Sequence, residues 1–475
     1  MNLRTLPILE VNSEGKVTAA LPAKPSGNAA KGSFSFVSLG CPKNTVDSEQ
    51  MLGLLSEDGY ELISDTNKSD FVVINTCGFI DRARAESFAV IDEMLEKKRK
   101  GIIKGVMVTG CLAERQREAI LEERPEIDAL IGVFGRDEVT RIADRILGNL
   151  AEQRNVFRPA PIRALADNHR MRITPRHFAY LKISEGCDRL CTFCAIPKMR
   201  GRHASKPIED IVAEAQQLAD TGVKEIIIVA QDTTYYGLDL YGKPRLTDLL
   251  EKLNEVQGIQ WIRLMYYYPM YIDKSLLDVM AGAERILPYV DIPLQHANDL
   301  MLRRMARRVN KSQIEDLLGD MRSAVPGLAI RTTFISGFPG ETEEQFHELA
   351  QFIEQQQFER AGVFTYSLEH DTPAARLPSL VDEAIALRRQ EALMQIQQVS
   401  SFAFAKSLVG TQQKIIIDAA APDQPGVWLG RSFADAPDVD AMVYVTETGG
   451  PLEAGQLADC EIVQTAGYDL VAAAL

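Results

Sequence analysis

The segment EGCDRLCTFCAIP places Cys187, Cys191 and Cys194 in a C-x-x-x-C-x-x-C pattern within one short loop. Three thiolates so spaced can bind three irons of a cubane cluster and leave the fourth iron open to an outside ligand. The amino and carboxylate groups of S-adenosylmethionine (SAM) can chelate that iron. One-electron reduction then cleaves the sulfonium to a 5′-deoxyadenosyl radical, chemistry that belongs to the cofactor while the protein supplies ligands and orientation. The competing assignment is a zinc site completed by His203, although zinc sites usually pair two C-x-x-C halves or add a histidine at fixed spacing.

Three further cysteines are far apart in sequence yet occupy equivalent places. Cys41 follows the apolar run FSFVSLG, Cys77 follows FVVINT and Cys111 follows VMVTG. If those runs are strands of one parallel sheet, the three loops share its carboxyl edge, where open α/β sheets bind ligands. The adjacent Gly40, Gly78 and Gly110 would allow close backbone approach to a bulky group. This constellation therefore reads as a second three-cysteine cluster site, the alternative being three separate half-buried thiols. Cys460, inside a C-terminal strand pattern, reads as a buried, inert thiol.

The elements that must position these groups fall into three series. Residues 1–32 are rich in Ala, Pro, Ser, Gly and Lys without periodicity and read as a disordered tail. Over 33–149, strand-like runs at 34–39, 71–75, 106–110 and 128–133 alternate with helical stretches, predicting a doubly wound parallel-sheet domain. An Arg- and Pro-rich stretch at 150–175 reads as a linker. Six more β/α units follow over 176–404, with strands expected at 180–184, 224–230, 261–266, 289–294, 329–335 and 362–367. They predict a partial TIM-type (β/α)6 barrel, whose chemistry lies on the loops after its strands. Short strands separated by turn residues over 405–475 predict a small antiparallel β-barrel. The fold class is thus α/β with a C-terminal β-barrel.

Within the barrel, Gln231 and Asp232 end the second strand, and Gln295 and His296 end the fourth. All are candidates to contact SAM, with local hydrogen bonding the alternative for His296. SGFPGE at 336–341 follows the fifth strand, and its Gly337 and Gly340 could offer backbone amides to SAM or simply form a tight turn. Lys198, Arg200 and Arg202 follow the cysteine loop and would border the site entrance. Arg303, Arg304, Arg307 and Arg308 have helical spacing, which suits a solvated face better than contact with RNA or a carboxylate.

No apolar run is long enough for a membrane span and no signal-peptide pattern opens the chain, so a cytoplasmic setting is expected. The odd cysteine count in a long chain excludes a secreted disulfide scaffold. Net charge is −14, and residues 405–475 hold three basic against ten acidic residues. Such a domain repels phosphate and would attract a basic protein, the alternative being charge that serves solubility.

Taken together, SLGCPKN (38–44), NTCGFI (75–80), TGCLAER (109–115), GCDRLCTFCAIP (186–197) and SGFPGET (336–342) resemble the radical-SAM methylthiotransferases over about residues 33–475. The resemblance implies a cluster-binding N-terminal domain, a radical-SAM domain and a C-terminal TRAM domain. It implies that Cys41, Cys77 and Cys111 bind an auxiliary 4Fe-4S cluster, that Cys187, Cys191 and Cys194 bind the SAM-cleaving 4Fe-4S cluster, and that Phe193 packs over the cluster or adenine. One branch of the family modifies a transfer-RNA adenosine. The other modifies the β-carbon of an aspartate in small-subunit ribosomal protein S-twelve, and SLGCPKN and VAQDTTYYG (229–237) resemble that branch. The implied partners are that basic protein or the small ribosomal subunit, and a low-potential donor such as flavodoxin or ferredoxin. A monomer is expected.

Overall fold

The computed structural model describes residues 30–148, 154–164, 166–168, 170–422, 424–448 and 450–475. Most of the tail expected over 1–32 lies outside the described residues, and Gly32 already opens the first strand. Contacts gather the chain into two compact units. One takes residues up to Thr174 together with Ser184–Arg189 and Cys194–Lys206. The other takes Pro175–Ile183, Leu190–Phe193 and Pro207–Leu475.

The first unit is built on six parallel strands, β1 (Gly32–Ser38), β2 (Tyr60–Leu62), β3 (Phe71–Thr76), β4 (Gly105–Gly110), β5 (Ala129–Ile131) and β6 (Asn155–Val156), in the order β2-β1-β3-β4-β5-β6. All residues of β3 and β4 are buried, as central strands covered on both faces must be. On one face, α1 (Pro42–Glu57) contributes Met51, Leu52 and Leu55 to the core. On the other, α2 (Asp81–Arg99), α3 (Cys111–Gln116) and α4 (Glu118–Glu123) contribute Ile91, Leu112 and Ile120. α5 (Val139–Gly148) returns to the first face with Val139, Ile142 and Ala143. The sheet is therefore doubly wound, as the alternating pattern implied. Two short edge strands differ from expectation: β2 was not foreseen, and β6 lies inside the stretch read as linker. That stretch is also tied down further on, where Arg170 pairs with the buried Glu49 of α1.

A two-stranded antiparallel ribbon, β8 (Ser184–Glu185) with β9 (Ala204–Ser205), also belongs to the first unit and carries the second cysteine loop between its strands. The second unit holds the barrel strands β7 (Phe178–Lys182), β10 (Glu225–Val229), β11 (Trp261–Leu264), β12 (Ile286–Asp291), β13 (Ala329–Ser336) and β14 (Arg360–Thr365). They form one open parallel sheet in the order β14-β13-β12-β11-β10-β7, the partial barrel expected. Two outer helices, Lys311–Ala324 and Glu343–Gln356, begin in full capping boxes, Asn310 with Gln313 and Thr342 with Gln345.

The helix Glu383–Leu408 leads into a closed barrel of β15 (Gln412–Ala420), β16 (Val427–Arg431), β17 (Val443–Thr446), β18 (Leu457–Ala466) and β19 (Asp469–Ala474). Four of its strand pairs are antiparallel, and β17 with β19 is parallel, a refinement of the expected all-antiparallel pairing. Cys460 is fully buried in this core as an unpaired thiol.

The segment following β16 seats the small barrel against the amino-terminal ends of the larger one. Arg431 forms a two-pronged pair with Asp418 (2.8 and 3.0 Å) and reaches Glu225, the first residue of β10, at 2.6 Å. Glu225 also accepts from Arg263 of β11 (2.8 Å), whose remaining nitrogens bind the Ser432 and Phe433 carbonyls. Arg360 of β14 holds Asp435 (2.7 Å), and Arg331 of β13 holds Asp440 (3.2 Å), which also accepts from Tyr289 OH (2.8 Å). Burial would push the Asp418 carboxyl up, but Arg431 and His177 hold it at about 2. Three of the ten acidic residues that suggested an open docking face therefore serve the interior of the second unit.

Removing one member of such a network leaves its partner buried and unpaired. Glu225→Ala should lower the unfolding free energy by about 3–5 kcal/mol, measured by denaturant titration of the full chain. A loss under about 1 kcal/mol, the worth of a surface pair, would show that the network does not hold the two barrels together.

Candidate functional site

The first three thiols meet because their strands end on one sheet edge. Cys41 is the residue before α1, Cys77 follows β3 directly and Cys111 opens α3 directly after β4. The glycines show how close the loops lie. A Cβ at Gly40 would stand 3.0 Å from Cys77 Cβ and 3.4 Å from its sulfur. A Cβ at Gly78 would meet the backbone of Cys111 and Leu112 at 2.8 Å. Gly110 has φ +97°, in the region that favours glycine, and its absent side chain leaves room for Asn75 and the Thr76 backbone.

Polar side chains fix these loops. Asn44 donates to the Leu39 and Thr76 carbonyls (3.0 Å each), linking the Cys41 loop to the end of β3. Ser87 accepts from the Cys77 amide and donates to the Cys77 carbonyl. Arg115 of TGCLAER donates to the Gly78 carbonyl at 2.6 Å.

Arg200 enters the same place. Its Nε donates to Cys111 Sγ at 3.3 Å, its Nη1 to Glu185 at 2.8 Å and its Nη2 to Asn44 (2.5 Å) and Asp47 (2.9 Å). The side chain is 1% exposed. This corrects the expectation that it borders an entrance. Its helix, α6 (Ile196–Arg200), packs Ala195 and Met199 onto Cys111, Val133 and Phe134, drawing the guanidinium inward. Arg136 faces Asp47, Glu185 and Asp167, and Lys206 pairs with Asp167 at 2.7 Å, so three buried cations meet three buried carboxylates.

These charges reach the thiols. Burial pushes Cys41 up, but Lys43, Arg200 and the amides of Asn44 and Lys43 outweigh it and hold the thiol below its ordinary value. Burial, reinforced by the other two sulfurs, pushes Cys77 up to about 12. Burial also pushes Cys111 up to about 11 against the pull of Arg200. Such thiols ionise when a metal binds them.

In the second loop, Gly186 (φ +72°) lets the chain turn beneath the Arg202 carbonyl, where a Cβ would stand at 2.0 Å. The Cys187 amide donates to the Gly201 carbonyl, and the Arg189 amide donates to Cys187 Sγ at 3.4 Å. Cys194 lies with Cys187 in the first unit, while Leu190–Phe193 belongs to the second. There Arg307 donates to Cys191 Sγ at 3.7 Å and lies over the Tyr268 ring at 4.1 Å. Thr192 is fastened to the Arg304 and Met305 carbonyls. Phe193 packs edge-on to Phe338 (6.4 Å) among Met301, Met305 and Ala374.

Both sets fit a cubane cluster by the chemistry of their donors: three thiols on short loops, with N–H groups aimed at sulfur. Each thiol of a cubane binds a different iron, so the sulfurs need not close on one point. Among the described residues no three His, Cys, Asp or Glu side chains do. His203, the alternative fourth zinc ligand, is buried with Nε2 3.2 Å from Ser205 Oγ.

The expected SAM contacts divide by how the structure uses them. Gln231 and Asp232 follow β10, and Asp232 accepts from Thr234 Oγ1 (2.7 Å) and the Tyr235 amide, so its carboxylate shapes its own turn. Gln295 has φ +75° and bridges to Phe334, an uncommon backbone for a non-glycine and one that clusters at functional sites. His296 is fully buried. Its Nδ1 accepts from two backbone amides, so Nε2 carries the proton to Glu341. The Gly337 amide donates to Glu341 (2.7 Å) and the Gly340 amide to the Ser379 carbonyl (2.7 Å). These amides have protein acceptors in this structure. What the glycines provide is φ +72° and +79° and room for Ala386 and Arg304. The arginine row also differs: its helix ends at Arg304 and Ala306 has φ +54°, so Arg307 turns inward while Arg303 and Arg308 stay exposed.

Family models match residues 33–132 (uncharacterized protein family UPF0004), 181–353 (radical SAM superfamily) and 409–475 (TRAM domain). The chain is 44% identical over 439 residues to the ribosomal protein uS12 methylthiotransferase RimO of Lachnoclostridium phytofermentans, covering 92% of this chain and 99% of that protein. It belongs to the RimO family. The Clostridioides difficile RimO is 42% identical over 92% of this chain and 98% of its own length. Among solved structures, the radical S-adenosylmethionine methyltransferase TsrM from Kitasatospora setae matches with TM-score 0.54 at 13% identity, covering 84% of this chain and 81% of that one. The cobalamin-dependent radical enzyme OxsB matches at 0.50 and 13% identity, over 77% and 56% of the two chains. Both likenesses concern the fold. As a radical-SAM enzyme of the RimO family, the protein uses SAM and a 4Fe-4S cluster. Among the described residues no helix is long and apolar enough to cross a membrane.

Gly78→Ala should force the Cys77 loop away from Cys111, because backbone atoms lie 2.8 Å from the added Cβ. The expected result is less iron retained than in the parent after anaerobic loading, assayed with acid-labile sulfide. Full iron content would show that the loops tolerate separation.

Proposed function

We propose that this protein inserts a methylthio group at the β-carbon of an aspartate in ribosomal protein uS12, using two 4Fe-4S clusters. The observation that carries the proposal is the two sets of three thiols in a chain 44% identical to a RimO across nearly its whole length. Cys187, Cys191 and Cys194 would hold the SAM-cleaving cluster, and Cys41, Cys77 and Cys111 the auxiliary one. When bound, such clusters supply the electron that cleaves SAM and a site for the sulfur to be inserted. The protein's part is to hold these loops. Asn44, Ser87 and Arg115 fix the auxiliary thiols, while Arg189 and Arg307 direct N–H groups at the SAM-side sulfurs. Gln231 and Gln295, at the carboxyl ends of barrel strands, are the proposed SAM contacts, with Phe193 packing nearby. Asp232 would orient the Gln231 turn, and Gly337 and Gly340 would shape the one after β13.

In stoichiometry, one SAM yields the radical that removes hydrogen from the substrate carbon, and a second SAM gives its methyl group to the inserted sulfur. A low-potential donor such as flavodoxin or ferredoxin would supply electrons, and the enzyme would act in the cytoplasm as a monomer. Even with Asp418, Asp435 and Asp440 engaged internally, the described TRAM surface exposes Asp438, Glu447, Glu453, Asp459 and Glu461 against Lys406 and Lys414. That balance suits a basic protein better than RNA.

Comparing intact masses of small-subunit proteins with and without the gene tests the reading. One basic protein should be lighter by about 46 Da without it, a hydrogen standing in place of the methylthio group. Unchanged ribosomal proteins alongside a lost transfer-RNA modification would overturn it. Separately, alanine at Cys41, Cys77 and Cys111 should halve bound iron to about four per chain while SAM cleavage to 5′-deoxyadenosine persists. Loss of that cleavage would refute the division of roles.

A further inference from the structure

Arg200 lies six residues beyond Cys194, yet the sulfur it donates to is that of Cys111, and it is among the largest side chains fully withdrawn from solvent. A buried guanidinium is costly unless every face is matched. Here Glu185, Asp47 and Asn44 hold its two terminal nitrogens, which aims the remaining Nε–H at Cys111 Sγ. Glu185 stands two residues before Cys187, so one cation is anchored to the SAM-side loop and directed at the auxiliary site, all within the first unit.

We propose that Arg200 is a positioning residue that sets the reduction potential of the auxiliary cluster through its hydrogen bond to the Cys111 sulfur. The proposal rests on the two-cluster reading above. A positive charge and an N–H···S bond stabilise the reduced, more negative cluster more than the oxidised one, and so raise its potential. Lysine cannot replace this geometry. A single ammonium group cannot serve two carboxylates and a sulfur at the angles a planar fork provides. Arg136 shares the same carboxylates and, among the described residues, directs no N–H at a cysteine, which makes it the internal control.

The test uses the full chain with Cys187, Cys191 and Cys194 replaced by alanine, loaded anaerobically with iron and sulfide. Reductive titration is followed by electron paramagnetic resonance in the parent, Arg200→Lys, Arg200→Gln and Arg136→Lys backgrounds. The expected result is unchanged iron content, with a more negative midpoint and altered spectrum in both Arg200 variants and parental behaviour in Arg136→Lys. Three results would overturn the proposal: Arg200 variants that titrate like the parent, an Arg136 variant that shifts as far, or loss of loading in both Arg200 variants. The last would assign Arg200 to building the site instead of tuning it. A parent that takes up no iron would sink the two-cluster reading itself, a separate failure seen before any Arg200 variant is compared.

Discussion

Sulfur ligands become negative when they bind metal, and a protein interior accepts negative charge only where positive charge is buried with it. The N-terminal unit is organised around that constraint. Arg200, Arg136 and Lys206 are matched by Asp47, Glu185 and Asp167, so the network that surrounds the Cys111 side carries little surplus of its own. Lys43 beside Cys41 and Arg115 at the Gly78 carbonyl add further positive charge near the thiols. What remains directed at sulfur is the single Arg200 N–H toward Cys111.

The two parallel sheets solve the same geometric problem at different scales. In the first, three strand ends deliver three cysteines to one edge, and glycines allow the loops to touch. In the second, the carboxyl ends carry the residues proposed for SAM, whereas the amino ends carry Glu225, Arg263, Arg331 and Arg360 for attachment of the small barrel. Chemistry and anchoring thus occupy opposite ends of the same strands, the division seen generally in barrels of this kind.

The cysteines were legible because each follows a buried apolar run, and strand ends are visible in sequence. The alternation of strands and helices was legible for the same reason. The edge strand Asn155–Val156 was not, since two residues carry no periodicity. Charge usually means solvent, which is why the sequence places Arg200 at the border of a site entrance. Nothing local shows that a five-residue helix will turn its end against Cys111. The arginine row was read as helical, but the left-handed Ala306 that ends that pattern is set by the fold and not by alanine's preference. The acidic C-terminal count was correct in sum and incomplete in meaning. Composition counts charges without pairing them, and Asp418, Asp435 and Asp440 find their partners far away in sequence.

Those long-range pairs also bear on how freely such proteins can exchange parts. A TRAM domain is often regarded as a cassette, and this one has its own closed barrel and core. Its Arg431–Asp440 segment, however, is keyed to four charged residues of the host barrel, Glu225, Arg263, Arg331 and Arg360. A graft from a relative whose segment lacks matching carboxylates would strand Arg360 without its carboxylate and leave Arg331 with Asp291 alone. Host compatibility is thereby written into the small domain, and recombination that alters its charges must preserve these pairs.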